Sequence, residues 1–135
     1  MVLEIKKDAK DSIKEQLGTS YELIQKGAFQ QARALLKKTI QAEPEHNSPY
    51  MLLGYCALAE EKWEEANKWY LKGLELEPDS PTLLVLLAEA LLMCRRFSEA
   101  ENILHKVIEI DTDGMHSEFA WTLLEASNLG LYGAK

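Results

Sequence analysis

The chain has 135 residues, 47% hydrophobic and 27% charged, with a mean hydropathy of −0.24, which suits one water-soluble folded domain and leaves no stretch apolar enough to span a membrane. Its net charge of −7 and pI near 5.0 exclude a general nucleic-acid binder, which needs a basic face to displace counterions, and argue against docking on an anionic membrane. Seven glycines and four prolines leave few breakers, and no run alternates Val, Ile and Thr as a strand would, so the chain reads as all-α.

Apolar periodicity predicts seven helices, near residues 10–26, 29–42, 48–60, 63–76, 82–94, 97–110 and 115–128. The opening "MVLEIKKDAKDSIKEQ" has no apolar stretch of the length a leader needs. A cytoplasmic location is expected, or a periplasmic or membrane-associated one if a leader has been removed. Ser48-Pro49 and Ser80-Pro81 each read as an N-cap serine followed by proline at the first helical position. Between the third and fourth helices lies a short polar break, "EEK". Cys56 and Cys94 fall inside helices in apolar company and are expected to be small buried or half-buried thiols rather than a disulfide. "DTDG", Asp111 to Gly114, reads as a turn, because its glycine comes too early for a calcium loop.

These elements repeat. One fixed shift, the step from Phe29 to Trp63, aligns Phe29, Trp63 and Phe97, then Ala32, Ala66 and Ala100, then Leu36, Tyr70 and Leu104, then Ile40, Leu74 and Ile108. In the first half of each copy it aligns Gln16, Tyr50 and Leu84, Ser20, Gly54 and Ala88, and Leu23, Ala57 and Leu91. Pro44 matches Pro78, and Thr112 takes that place in the third copy. Small residues at 20, 54 and 88 and at 32, 66 and 100 are what a close helix crossing needs, since larger side chains would push the axes apart. The aromatics at 29, 63 and 97 are expected to fill the space beside them as core, not to form a cofactor box.

The pattern resembles the tetratricopeptide repeat (TPR) family: a helix–turn–helix unit of about 34 residues, small residues at the crossings and a closing proline. The resemblance implies a single TPR domain over 1–135, with repeats near 13–46, 47–80 and 81–114 and a C-terminal helix at 115–128. It further implies a right-handed superhelical solenoid whose first helices line a concave wall that holds a peptide or helix. By helical phase the lining would be Lys14, Leu17, Tyr21, Ile24 and Gln25, then Met51, Tyr55, Leu58 and Ala59, then Val85, Glu89, Leu92 and Met93. Such a lining favours an apolar or amphipathic protein segment, with methionines as adaptable contacts and tyrosines as anchors. Chaperone-adaptor members hold a C-terminal carboxylate with a cationic clamp. The positions here are Leu17, Tyr21, Leu52, Thr82 and Leu86, none of which supplies a charged donor.

The expected function is therefore a non-catalytic adaptor, scaffold or assembly factor. A bacterial secretion-type TPR chaperone and a structural subunit or accessory domain of a larger complex stay open as alternatives. The last segment, "MHSEFAWTLLEASNLGLYGAK", is too apolar for a clean cap, so it is expected either to pair with a twin chain as a homodimer or to continue a longer array. No catalytic, cofactor or metal constellation stands out: there is no glycine-rich phosphate loop and no zinc-type spacing. Glu101 and His105 share a helix face as an ordinary surface pair, and His46 and His116 have no evident partners. Glu60, Glu61, Glu64 and Glu65 read as a solvated acidic edge, with docking of a basic partner as the alternative.

Overall fold

The computed structural model describes the backbone over residues 2–111 and 114–133, with side chains from Ser12 onward. Those residues form α1 (Val2–Gln25), α2 (Phe29–Ala42), α3 (Ser48–Ala59), α4 (Trp63–Leu76), α5 (Pro81–Met93), α6 (Phe97–Ile110) and α7 (Met115–Asn128), with no strand among them. Helix α1 begins well before the expected start at residue 10, at Val2. The added segment contains neither Gly nor Pro and is rich in Leu, Glu, Lys and Ala, all good helix formers. The DTDG turn falls partly outside the described residues.

Each helix packs on the next in chain order, and in addition α1 meets α3 and α5 meets α7. The second helices, α2, α4 and α6, make no comparable contact with one another. First helices that touch in two places, α1 with α3 and α5 with α7, while no second helices do so comparably, bend the stack toward the first-helix side. That side is the inner face.

Inside each pair the chain reverses through the same turn. The N–H of Ala28 reaches Leu23 O at 2.8 Å, that of Lys62 reaches Ala57 O at 2.8 Å, and that of Arg96 reaches Leu91 O at 2.9 Å. This is the left-handed helix ending, and Gly27, Glu61 and Arg95 occupy its left-handed residue with φ of +79°, +61° and +62°. Only the first copy uses the glycine that this geometry favours.

One capping expectation holds and the other fails. Ser80 caps α5 by accepting the N–H of Leu83 at 3.3 Å. Ser48 does not cap α3: it is already helical, and Asn47 stands at the cap with helical φ and ψ. The Ser48 N–H instead donates to His46 Nδ1 at 3.3 Å, while the Asn47 amide donates to Glu77. The orphan donor is met by a neighbouring side chain, so no serine cap is needed.

The main core lies between α3 and α7. It is built on Ala57, Ala66, Tyr70, Leu83, Leu87, Ala88, Leu91, Ala100, Leu104, Val107, Leu123 and Leu124. A smaller cluster of Ile24, Ala32 and Cys56 closes the first pair onto α3, with Phe29 packed against it. The alanines at 32, 66 and 100 are all fully buried, as close crossings require. Phe97 packs on the main core and Trp63 is half-buried.

Candidate functional site

The inner face is organised by a row at the repeat spacing: Tyr21 on α1, Tyr55 on α3 and Glu89 on α5. The rings of Tyr21 and Tyr55 lie nearly parallel, 12° apart, with centroids at 6.1 Å. The Gln25 amide donates to the Tyr55 hydroxyl at 3.2 Å. Tyr21 keeps 48% of its surface exposed and Met93 keeps 39%, while Tyr55 and Glu89 are half-buried. Leu17, Met51 and Leu58 are also half-buried, and Met51 and Leu58 pack against the main core. Leu17 and Lys14 border a recess of ≈ 390 Å³ shared with Ile13, Glu43 and His46.

Three residues expected in the lining are not open to a ligand. Ile24, Val85 and Leu92 are buried. Ile24 packs with Ala32 and Cys56, and Val85 and Leu92 belong to the main core. The cause is the contact between neighbouring first helices. Helical phase taken from a single pair leaves that contact out, yet α1 leans on α3 and α5 on α7. Of the lining, Lys14, Tyr21, Gln25, Ala59 and Met93 stay exposed, and Leu17, Met51, Tyr55, Leu58 and Glu89 are half-buried.

Tyr70 reaches this face from behind. Its ring, on α4, lies against the backbone of α3 at Gly54, where an added Cβ would sit 2.3–2.8 Å from the ring carbons. The side chain is fully buried and its hydroxyl has no hydrogen-bond partner among the described residues. Burial holds that phenol un-ionised far beyond neutral pH, and the charges of Glu89 and Tyr55 act in the same direction. Burial also pushes the Glu89 carboxyl above the usual carboxylate range. From the C-terminal tail Tyr132 packs on the main core, and its own upward shift comes first from burial and then from Glu89. The charge of Glu89 on α5 is thus felt by phenols on α4 and in the C-terminal tail. The sequence signalled Tyr55 and Glu89 by their phase. It hid Tyr70, whose position reads as core, and Tyr132, which lies outside the repeat.

The acidic edge is already answered. Arg33 pairs with Glu60 and, at 3.1 Å, with Glu65, and Lys62 stands 3.5 Å from Glu60. Arg96 lies 3.6 Å from Glu64 and bonds Glu99 at 2.7 Å. A basic partner would have to displace internal cations, so the docking alternative for this edge is set aside. His116, expected to be without partners, bridges two elements: its Nε2 is 2.9 Å from the Thr82 hydroxyl and its Nδ1 3.3 Å from Asp111. Both cysteines are free, Cys56 buried and Cys94 half-buried. Burial pushes both thiols up, which keeps them protonated and poorly nucleophilic.

The sequence model of the family described as anaphase-promoting complex, cyclosome, subunit 3 (ANAPC3) matches residues 25–107. The chain belongs to this TPR-type family. Among curated relatives, the human protein O-mannosyl-transferase TMTC2 is 30% identical over 98 residues, covering 70% of this chain, and the match spans only 12% of that protein's length. The Yersinia enterocolitica type III secretion chaperone SycD, solved with a peptide of the translocator YopD, superposes with a TM-score of 0.78 at 21% identity, covering 88% of this chain and 94% of that one. The TPR2B domain of yeast Sti1, solved as a pHsp70 complex, superposes with a TM-score of 0.79 at 17% identity, covering 87% and 96%. At such identities these likenesses establish the fold, a TPR helical solenoid.

Proposed function

We propose that this protein is a non-catalytic interaction module that holds an apolar or amphipathic segment of another protein along its inner face. The observation that carries the reading is the stacked pair Tyr21 and Tyr55 at the middle of that face, exposed and half-buried in turn, with Met51 and Met93 nearby. Rigid aromatic rings and adaptable thioethers suit such a ligand, and a preformed shelf loses little entropy on binding. An adaptor or assembly-factor role is the first reading. The second is a chaperone of the secretion type, favoured by the uncharged residues at Leu17, Tyr21, Leu52, Thr82 and Leu86, where a carboxylate clamp would need cations.

Selection of a random linear peptide library against the full chain tests the reading. The expected winners carry apolar residues at fixed spacing. Tyr21→Glu with Met93→Glu, both at exposed sites, should abolish their binding while leaving the far-UV circular dichroism unchanged. Undiminished binding by that double variant would refute the inner-face reading.

We also propose that two copies meet through the C-terminal end. Met115, Phe119, Trp121, Leu129 and Leu131 are all large, apolar and exposed there. Large exposed apolar side chains in this number, spread along one terminal segment, suit an interaction surface.

A further inference from the structure

We propose that Glu89 is the specificity point of the inner face and accepts a lysine or arginine side chain of the bound segment. The inference rests on the inner-face reading and adds the charge that the ligand must carry.

Glu89 stands apart from the chain's ion-paired acids. Glu60 and Glu65 have Arg33, Glu64 and Glu99 have Arg96, and Asp79 has Lys106 at 3.4 Å. Glu89 is half-buried, as Glu60 and Glu65 are, yet no lysine or arginine among the described residues pairs with it. Burial is the one influence acting on its carboxyl, and nothing offsets it.

The Tyr70 hydroxyl is fully buried, lacks a partner among the described residues, and lies within range of the Glu89 charge. A buried hydroxyl without a bond is costly. The Tyr55 hydroxyl accepts from Gln25 and retains further capacity.

The chemistry selects the guest. A carboxylate only accepts, and phenol oxygens accept readily. The stacked faces of Tyr21 and Tyr55 present negative π surface. An ammonium or guanidinium donates to the half-buried carboxylate and cancels its charge. A carboxylate on the guest would be repelled, and an apolar or amide side chain would leave the charge uncompensated.

Peptides selected against the full chain supply the test. With the wild-type chain they should share one position held as Lys or Arg among the apolar ones. Replacing that residue by Gln should weaken binding about 10- to 100-fold, the usual worth of a charged hydrogen bond. Glu89→Gln should bind the Lys and Gln forms alike, and selection against Glu89→Lys should recover Asp or Glu at that position. Glu109→Gln, at an exposed site on α6, removes the same net charge and should keep the preference. Winners with no cationic position, or a cation preference that survives Glu89→Gln, overturn the proposal and leave the inner-face reading standing. Absence of any winner, or winners that ignore Tyr21→Glu with Met93→Glu, overturns both.

Discussion

Gly54→Ala is the sharpest probe of how this chain packs, because two effects of opposite sign meet at one atom. Helix propensity alone favours the alanine by about 1 kcal/mol. The Tyr70 ring opposes it: the new methyl would stand 2.3 Å from Cε1, 2.5 Å from Cδ1 and 2.8 Å from Cζ, and the ring is fully buried. Overpacking of that kind costs about 1–3 kcal/mol, so the net expectation is a loss of up to about 2 kcal/mol. Tyr70→Leu should cost a similar amount, since the cavity left by the ring is partly offset by removal of the unbonded hydroxyl, about 1–3 kcal/mol. The double variant should recover most of the loss. It recreates in the second pair the combination that the third already uses, Ala88 with Leu104, both fully buried. Urea unfolding followed by circular dichroism should give a coupling of about 2 kcal/mol between the two sites. Gly73→Ala is the control. Its methyl would lie 3.1 and 3.3 Å from the Leu83 methyls, which can shift, so the propensity gain should survive there within about 1 kcal/mol. Additive single effects, or a Gly54→Ala protein as stable as Gly73→Ala, would refute the packing argument.

Three further outcomes are expected. Glu61→Gly relieves a non-glycine residue at φ +61° and should raise stability by up to about 1 kcal/mol in the same urea assay; no gain would mean that the turn is unstrained. Glu89 pairs with no cation among the described residues, its charge acts on the phenols of Tyr70 and Tyr132, and its carboxyl is raised by burial. A raised folded-state pKa means that the folded chain binds the proton more tightly, so this group's contribution is fully present below the ordinary glutamate range and is lost as pH rises through the raised value. Glu89→Gln should therefore flatten the thermal midpoint against pH across that window and raise it at neutral pH, and a lower neutral midpoint would show the charge to be favourably engaged in the free protein. Sedimentation should show the wild type dimerising at high concentration and Phe119→Ser with Trp121→Ser staying monomeric; a strictly monomeric wild type rules out the pairing.

The sequence made the architecture legible because the repeat constrains the same contact three times. Gln16, Tyr50 and Leu84 face Thr39, Gly73 and Val107, partners that also sit one repeat apart. The first pair is polar, with the Thr39 hydroxyl 2.7 Å from Gln16 Oε1. In the second, a Cβ on Gly73 would lie 3.6 Å from that of Tyr50, and in the third Leu84 and Val107 share the main core. Chemistry changes while the fit is kept, and that leaves the period readable through weak identity. The binding face was less legible because exposure there is set by relations between repeats. Phase within one helix treats 17, 21 and 24 alike, whereas the seams between first helices bury Ile24, Val85 and Leu92 and leave Tyr21 open.

The same logic separates what holds the stack from what distinguishes this member of it. At the crossing inside each pair stand Ser20 with Leu36, Gly54 with Tyr70 and Ala88 with Leu104. All six are buried, and leucine fills the crossing in two cases without any polar atom. A tyrosine in the second requires the smallest residue opposite it and leaves a hydroxyl unbonded, a combination that works against stability on both counts. Stacking alone would be served as well by leucine. The one place where the pattern departs from that economy is also the place whose polar end couples to the half-buried carboxylate of Glu89 on the inner face. If the Tyr70 hydroxyl serves the guest, Tyr70→Phe should leave the free protein at least as stable and weaken only the cationic peptides. A variant that loses stability and keeps its affinity would place the hydroxyl among the groups that hold the fold.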